Sequence, residues 1–121
     1  MKVDFLADTN FLIYVHEGNE HVNHLLTYQF AISFISEVEL LGYRGITKSV
    51  ETKLRLLIDD CFYFDWNTQI KDKTINLRKK YNIKLPDAII AATSIVYGLP
   101  LVTADKGFTV VKELDLLILE V

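Results

Sequence analysis

Short β-rich segments alternate with amphipathic helical stretches along this 121-residue chain, and that alternation predicts an α/β fold. Two further observations sharpen it. Strand candidates such as "FAISFI" and "LPLVTA" are short apolar runs, as in strands covered on both faces. One helical stretch, "PDAIIAATSIVYG", is apolar almost all round, which places it between layers. The expectation is one domain over residues 1–121, with a mainly parallel central sheet of about four to five strands and helices on both faces.

Taken in order, residues 2–7 ("KVDFLA") read as a strand and 10–17 ("NFLIYVHE") as a helix closed by Gly18-Asn19. Residues 20–28 carry Val22, Leu25 and Leu26 at helical spacing. A strand is expected over 30–35, and a helix over 36–43 that Gly42 stops or bends. Residues 47–60 set Val50, Leu54, Leu57 and Ile58 on one stripe, with Thr47 as the N-cap. "CFYFDW" (61–66) reads as a strand. The helix over 67–81 aligns Ile70, Thr74, Leu77 and Tyr81, and its Arg78-Lys79-Lys80 run suits a helix C-terminus. Residues 86–98 form the apolar helix, opened by Pro86 and stopped by Gly98. Strands over 99–104 and 116–121 complete the order.

Composition bounds the function. Half the residues are apolar and the net charge is -3, which excludes both a disordered chain and a nucleic-acid binder that works by bulk positive charge. A polyanionic substrate must then be held by a local cationic patch or by a metal. The single cysteine, Cys61, allows no internal disulfide. The N-terminal "MKVDFLADTN" lacks the basic start and long apolar stretch of a secretion signal, and no apolar run reaches the length of a membrane span. The expected location is the cytoplasm, away from any membrane.

Four acids stand at the same kind of junction. Asp8 follows the first strand, Glu39 lies in the first turn after the second, Asp87 opens the apolar helix, and Asp105 follows "LPLVT". In a parallel α/β sheet the carboxyl ends of the strands share one edge, where ligands bind. At least three of these acids should therefore converge, and Asp87 joins them if its helix starts on the same side. Crowded carboxylates repel one another, and a hard divalent cation relieves the repulsion. An oxygen-only set without His or Cys points to Mg²⁺ or Mn²⁺, one or two ions, and to phosphodiester hydrolysis rather than zinc chemistry.

Every one of these acids also has a structural reading. Asp8 can cap the following helix, with Thr9 and Asn10 as turn residues. Ser36-Glu37-Val38-Glu39 has the form of a capping box. Asp87 beside Pro86 is a common helix start, and Asp105 can be a turn residue. Glu37 and Glu39 point about 200° apart on a helix, so only one of them can face a site. Glu39, three after Ser36 and just before Leu40, is the choice here.

In "FLADTNFLIY", "ISFISEVELLGY" and "LPDAIIAATSIVYGLPLVTADKGF", read in that order, the chain resembles the PIN-domain ribonucleases of the VapC toxin type. The resemblance covers essentially the whole chain and is most specific in the last stretch. It implies a metal-dependent endoribonuclease, with Asp8, Glu39, Asp87 and Asp105 as the family's four acids in order. Asn10 and Thr103 occupy its supporting polar positions. It also implies an RNA substrate, a cognate antitoxin protein and a homodimer.

Binding RNA needs a cationic lining, and Arg44, Lys48 and Lys106 are the candidates, with Lys53 and Arg55 on the same segment as the first two. Tyr43 and Phe108 could stack on bases, and core packing is the competing role for Phe108. His21 and His24, at i,i+3 spacing, fit an exposed helix face. Two other readings stay open. A phosphatase of another α/β family would use Asp8 as a nucleophile within D-x-D, but Asn10 stands where the second acid belongs. A PIN-like module kept only for interaction is the other, and the presence of all four acids speaks against it.

Overall fold

The computed structural model describes residues 2–121, and Met1 lies outside them. The chain runs through β1 (Phe5–Ala7), α1 (Thr9–Glu17), a 3₁₀ segment (Glu20–Leu25), β2 (Phe30–Ser33), α2 (Phe34–Leu41), α3 (Lys48–Asp59) and β3 (Phe62–Phe64). It continues through α4 (Thr68–Lys80), α5 (Leu85–Tyr97), β4 (Leu101–Thr103), a second 3₁₀ segment (Lys106–Val110) and β5 (Leu116–Ile118). The five strands form one parallel sheet in the order β3-β2-β1-β4-β5. The α/β architecture expected from the sequence is the one observed.

Strand alternation divides the core. Phe5, Ala7, Ile32 and Val102 face one side, where they pack with Phe11 and Leu12 of α1, Leu40 of α2, and Leu54 and Ile58 of α3. Leu6, Ala31 and Leu101 face the other, against Ile70 and Leu77 of α4 and Ile90, Ala91 and Ala92 of α5. Small side chains on α5 let it lie close on the sheet while α4 packs along its outer side, which explains its nearly all-apolar sequence. Phe5, Phe11 and Phe30 form an aromatic cluster at the start of β1, with edge-on and stacked centroids 5.2–5.6 Å apart.

Helix ends follow the expected chemistry in part. Thr47 caps α3 and Asn67 caps α4, each through a side-chain oxygen that accepts a backbone N–H. Gly18 and Gly98 close α1 and α5 with φ of 71° and 65°, a left-handed conformation that glycine adopts without a steric cost.

Three expectations need correction. The junction at 30–43 is shifted: β2 ends at Ser33 and α2 begins at Phe34, so Ser33 is the N-cap and Ser36 lies buried inside the helix. The capping box does not form, because of two serines three apart it is the earlier whose hydroxyl meets a free N–H, that of Ile35 at 3.2 Å. Residues 20–28 form a 3₁₀ segment only to Leu25, and Leu26 is 45% exposed rather than packed. The remaining strands are shorter than expected, and Lys106–Val110, for which the sequence suggested no element, is a 3₁₀ segment that buries Phe108. Among the described residues no helix is long and apolar enough to cross a membrane.

Candidate active site

The order β3-β2-β1-β4-β5 reverses direction at β1, so the sheet has its switch point between β1 and β4. Crevices outside the carboxyl ends of the strands at such a point are the usual ligand sites of open α/β sheets. Asp8 follows β1 there and Asp105 follows β4. A cavity of about 260 Å³ opens between them, lined by Asp8, Thr9, Asn10, Ile13, Glu39, Asp87, Ile90, Asp105 and Phe108. All four acids singled out in the sequence therefore meet at one place, α5 starting on the same side as the strand ends.

Asp8 is the most constrained. It is buried, its Oδ1 accepts the Phe11 N–H at 2.8 Å, and its Oδ2 accepts the Thr103 hydroxyl at 2.5 Å. The capping reading is thus correct, and it coexists with the clustering. Burial pushes the Asp8 carboxyl up to about 6 against those two hydrogen bonds, and the charges of Asp105 and Asp87 push the same way. Asp87 is also raised, first by burial and then by Asp105 and Glu39, while the Lys84 ammonium opposes the rise. Asp8 and Asp87 thus feel the charge of Asp105 across the cavity, Asp8 also feels Asp87, and Asp87 also feels Glu39.

Hydroxyl groups orient the acids. Thr103, fully buried, donates to Asp8 and accepts the Asp105 N–H at 2.9 Å, so one side chain ties the ends of β1 and β4 together. Asp105 Oδ1 in turn accepts the Gly107 N–H at 2.8 Å and opens the second 3₁₀ segment. Thr9 donates to Glu39 at 2.6 Å and lies 2.9 Å from the Ser36 hydroxyl. Glu37 is turned elsewhere, accepting the Tyr63 hydroxyl at 2.7 Å. Of the two glutamates, Glu39 and not Glu37 lines the cavity. Thr9 and Ser36 escaped the sequence reading as site-orienting groups, because a threonine after a capping acid and a serine before a glutamate both look like helix-start residues.

Known proteins allow the fold to be assigned. Residues 5–114 match the family model of the PIN domain. The chain belongs to the PIN-domain family. Among solved structures, this PIN domain is similar to a chain of a toxin–antitoxin complex from Klebsiella pneumoniae, with 31% identity over 92% of this chain and 95% of that one, and a TM-score of 0.79. It is similar to a chain of VapBC from Salmonella typhimurium, bound to DNA in that structure, at 25% identity, 97% and 98% coverage and a TM-score of 0.79. A chain of VapBC2 from Rickettsia felis shares the fold at a TM-score of 0.85, with 20% identity over 98% and 100% of the two chains. No curated protein sequence matches. PIN domains of the VapC type are typically nucleases that use divalent metal ions.

The cavity of this PIN domain fits such an ion in donor chemistry, since its polar walls are carboxylates, a hydroxyl and an amide, with no imidazole or thiol. Among the described residues, however, no three His, Cys, Asp or Glu groups are gathered closely enough to form a ready-made cage. The carboxylates share the cavity without converging on a point.

The three cationic candidates fall outside these walls. Arg44 lies exposed after α2, Lys48 at the start of α3, and Lys106 just beyond Asp105, and none of them lines the cavity. Phe108 is a buried wall of the cavity, as core packing requires, and Tyr43 is half exposed. Asn10 lines the cavity and is exposed. His21 and His24 are exposed on the first 3₁₀ segment.

Proposed function

We propose that residues 1–121 act as one metal-dependent endoribonuclease domain, the toxin of a toxin–antitoxin pair, working in the cytoplasm as a homodimer held in check by a cognate antitoxin. The observation that carries the reading is the meeting of Asp8, Glu39, Asp87 and Asp105 in one cavity at the switch point of the sheet. The similarity to a chain of a toxin–antitoxin complex, at 31% identity, supports the biological setting.

Asp8, Asp87 and Asp105, with Glu39, would hold one or two Mg²⁺ or Mn²⁺ ions. Bound there, such an ion supplies an activated water and offsets charge on a phosphodiester. The chain's own groups prepare the site. Thr103 fixes the Asp8 carboxylate with one hydrogen bond and the Asp105 backbone with another, so the two acids keep a constant spacing. Thr9 holds Glu39 toward the cavity. Ile13, Ile90 and Phe108 form apolar walls that lower the local dielectric and strengthen each polar contact. Asn10 offers an amide to an approaching phosphate or water.

The test is cleavage of single-stranded RNA with Mn²⁺ or Mg²⁺, with and without EDTA, for the wild type and Asp87→Asn. EDTA should abolish cleavage, and Asp87→Asn should lower the rate about a hundredfold or more. Metal-independent cleavage, or an unimpaired variant, would overturn the reading. A small gene directly upstream, coding for a DNA-binding start and an amphipathic tail, is the expected genomic companion.

A further inference from the structure

A second cavity, about 250 Å³, adjoins the first and is lined by Asn82, Ile83, Lys84, Asp87, Asp105, Gly107 and Phe108. Asp87, Asp105 and Phe108 belong to both cavities, so the two are halves of one trough divided by these acids. The halves differ in charge. Glu39 and Asp8 lie in the first and no cation does, whereas the second contains Lys84, the one cation on either set of walls.

Lys84 has two further features. It is the N-cap of α5 and makes no side-chain cap hydrogen bond, and among the described residues it is in no ion pair, so its ammonium is free to take a ligand. Its exposed side chain stands at the positive end of a helix dipole, which adds to its charge. Asn82, also exposed, adds an amide that can pair with a base edge. An RNA strand crossing an acid-lined site is repelled at each flanking phosphate, and one cation beside the acids removes that repulsion on one side only.

We infer that the second half of the trough seats the nucleotide next to the scissile bond, with Lys84 gripping its phosphate and Asn82 facing its base. The inference rests on the nuclease reading above and adds a direction to it. The strand lies along the line from Glu39 through Asp87 and Asp105 to Lys84, rather than toward Arg44 and Lys48. Lys84 is a positioning residue for ground-state binding, not one that touches the reacting atoms.

The experiment is steady-state cleavage of a single-stranded RNA oligonucleotide with Mn²⁺ over a series of salt concentrations, using the wild type, Lys84→Gln and Lys84→Arg. Removing one charge-assisted phosphate contact should raise KM about tenfold in Lys84→Gln, with kcat held within about twofold. The slope of log(kcat/KM) against log[salt] should become shallower by about 0.7, the value for one phosphate on a single strand. Lys84→Arg should restore both. A wild type that leaves RNA intact overturns the nuclease reading, and this inference with it. A cleaving wild type whose Lys84→Gln variant keeps KM and salt slope overturns the inference alone, and so does a loss confined to kcat. Because Lys84 is exposed, the melting temperature of Lys84→Gln should match the wild type, which separates a binding effect from a folding one.

Discussion

Asp8 serves two ends that conflict electrostatically. Capping α1 and accepting from Thr103 favour its charged form, yet burial beside Asp87 and Asp105 disfavours that form more strongly. Its folded pKa, about 6, lies above the ordinary aspartate value of 3.8 that holds in the unfolded chain. Between those values the native state keeps a proton that the unfolded state has lost, so this contribution to stability is complete below about 4 and falls away as pH rises through about 6. A displacement of that size is on the order of 3 kcal/mol. Glu113 runs the other way, since the Tyr81 hydroxyl and then Lys80 hold its carboxyl below the usual range. The difference between wild type and Asp8→Asn isolates Asp8. In urea unfolding with EDTA, the wild type should lose stability relative to Asp8→Asn from pH 4 to 7, and parallel pH profiles would refute this. Thr103→Val should cost about 1–3 kcal/mol in the same assay, because it strips a donor from buried Asp8 and an acceptor from the Asp105 N–H.

At the scale of elements, the two serines of "ISFISEVELL" separate a cap from a site-orienting group. Ser33 caps α2, whereas Ser36 is buried and meets Thr9, which holds Glu39. Ser33→Ala should cost about 1 kcal/mol in chemical denaturation and leave RNA cleavage per folded molecule unchanged. Ser36→Ala should lower cleavage, and equal effects of the two on activity would show that Glu39 needs no such support. The second 3₁₀ segment gives a related prediction. A Cβ on Gly107 would sit 3.0 Å from Asp105 Oδ1, so Gly107→Ala should displace that carboxylate and narrow the trough, reducing cleavage more than stability. Equal losses in both would argue that the segment is only a structural turn. These details explain what the sequence leaves illegible. Helical spacing reports which face is apolar, so the stripe Val50, Leu54, Leu57 and Ile58 could be read directly. It does not report which of Ser33 and Ser36 meets a free N–H, because that depends on where the β2 hydrogen bonds end. Leu26 fails for a similar reason, since its 3₁₀ segment stops at Leu25.

At the scale of the whole molecule, the sheet order converts four separate junctions into one site. Strand candidates and their parallel sense were legible from short apolar runs between helices, and so was the shared edge for the acids. The order β3-β2-β1-β4-β5 was not legible, and it is this order that sets Asp8 beside Asp105 at the switch point. The adjoining half of the trough was equally hidden, because in the sequence Lys84 reads as one more surface cation between the Arg78-Lys79-Lys80 run and Pro86. Because the acids belong to different elements, a cation bound among them would link β1, α2, α5 and the segment after β4, and would bind only the folded chain. Linkage then gives about 2.7 kcal/mol of stabilisation at a hundred times Kd. For a chain of this length that corresponds to a rise in Tm on the order of 10 °C. The rise should be larger at pH 7.5, where Asp8 is mostly deprotonated, than at pH 5, where a proton competes for it. EDTA should reverse it, and Asp8→Asn or Asp87→Asn should abolish it. Thermal unfolding at pH 5 and 7.5 with increasing Mn²⁺ measures all of these. A Tm that stays constant up to millimolar Mn²⁺ at pH 7.5 would mean that the four carboxylates share a cavity without forming a cation site, and the hydrolytic reading would lose its basis.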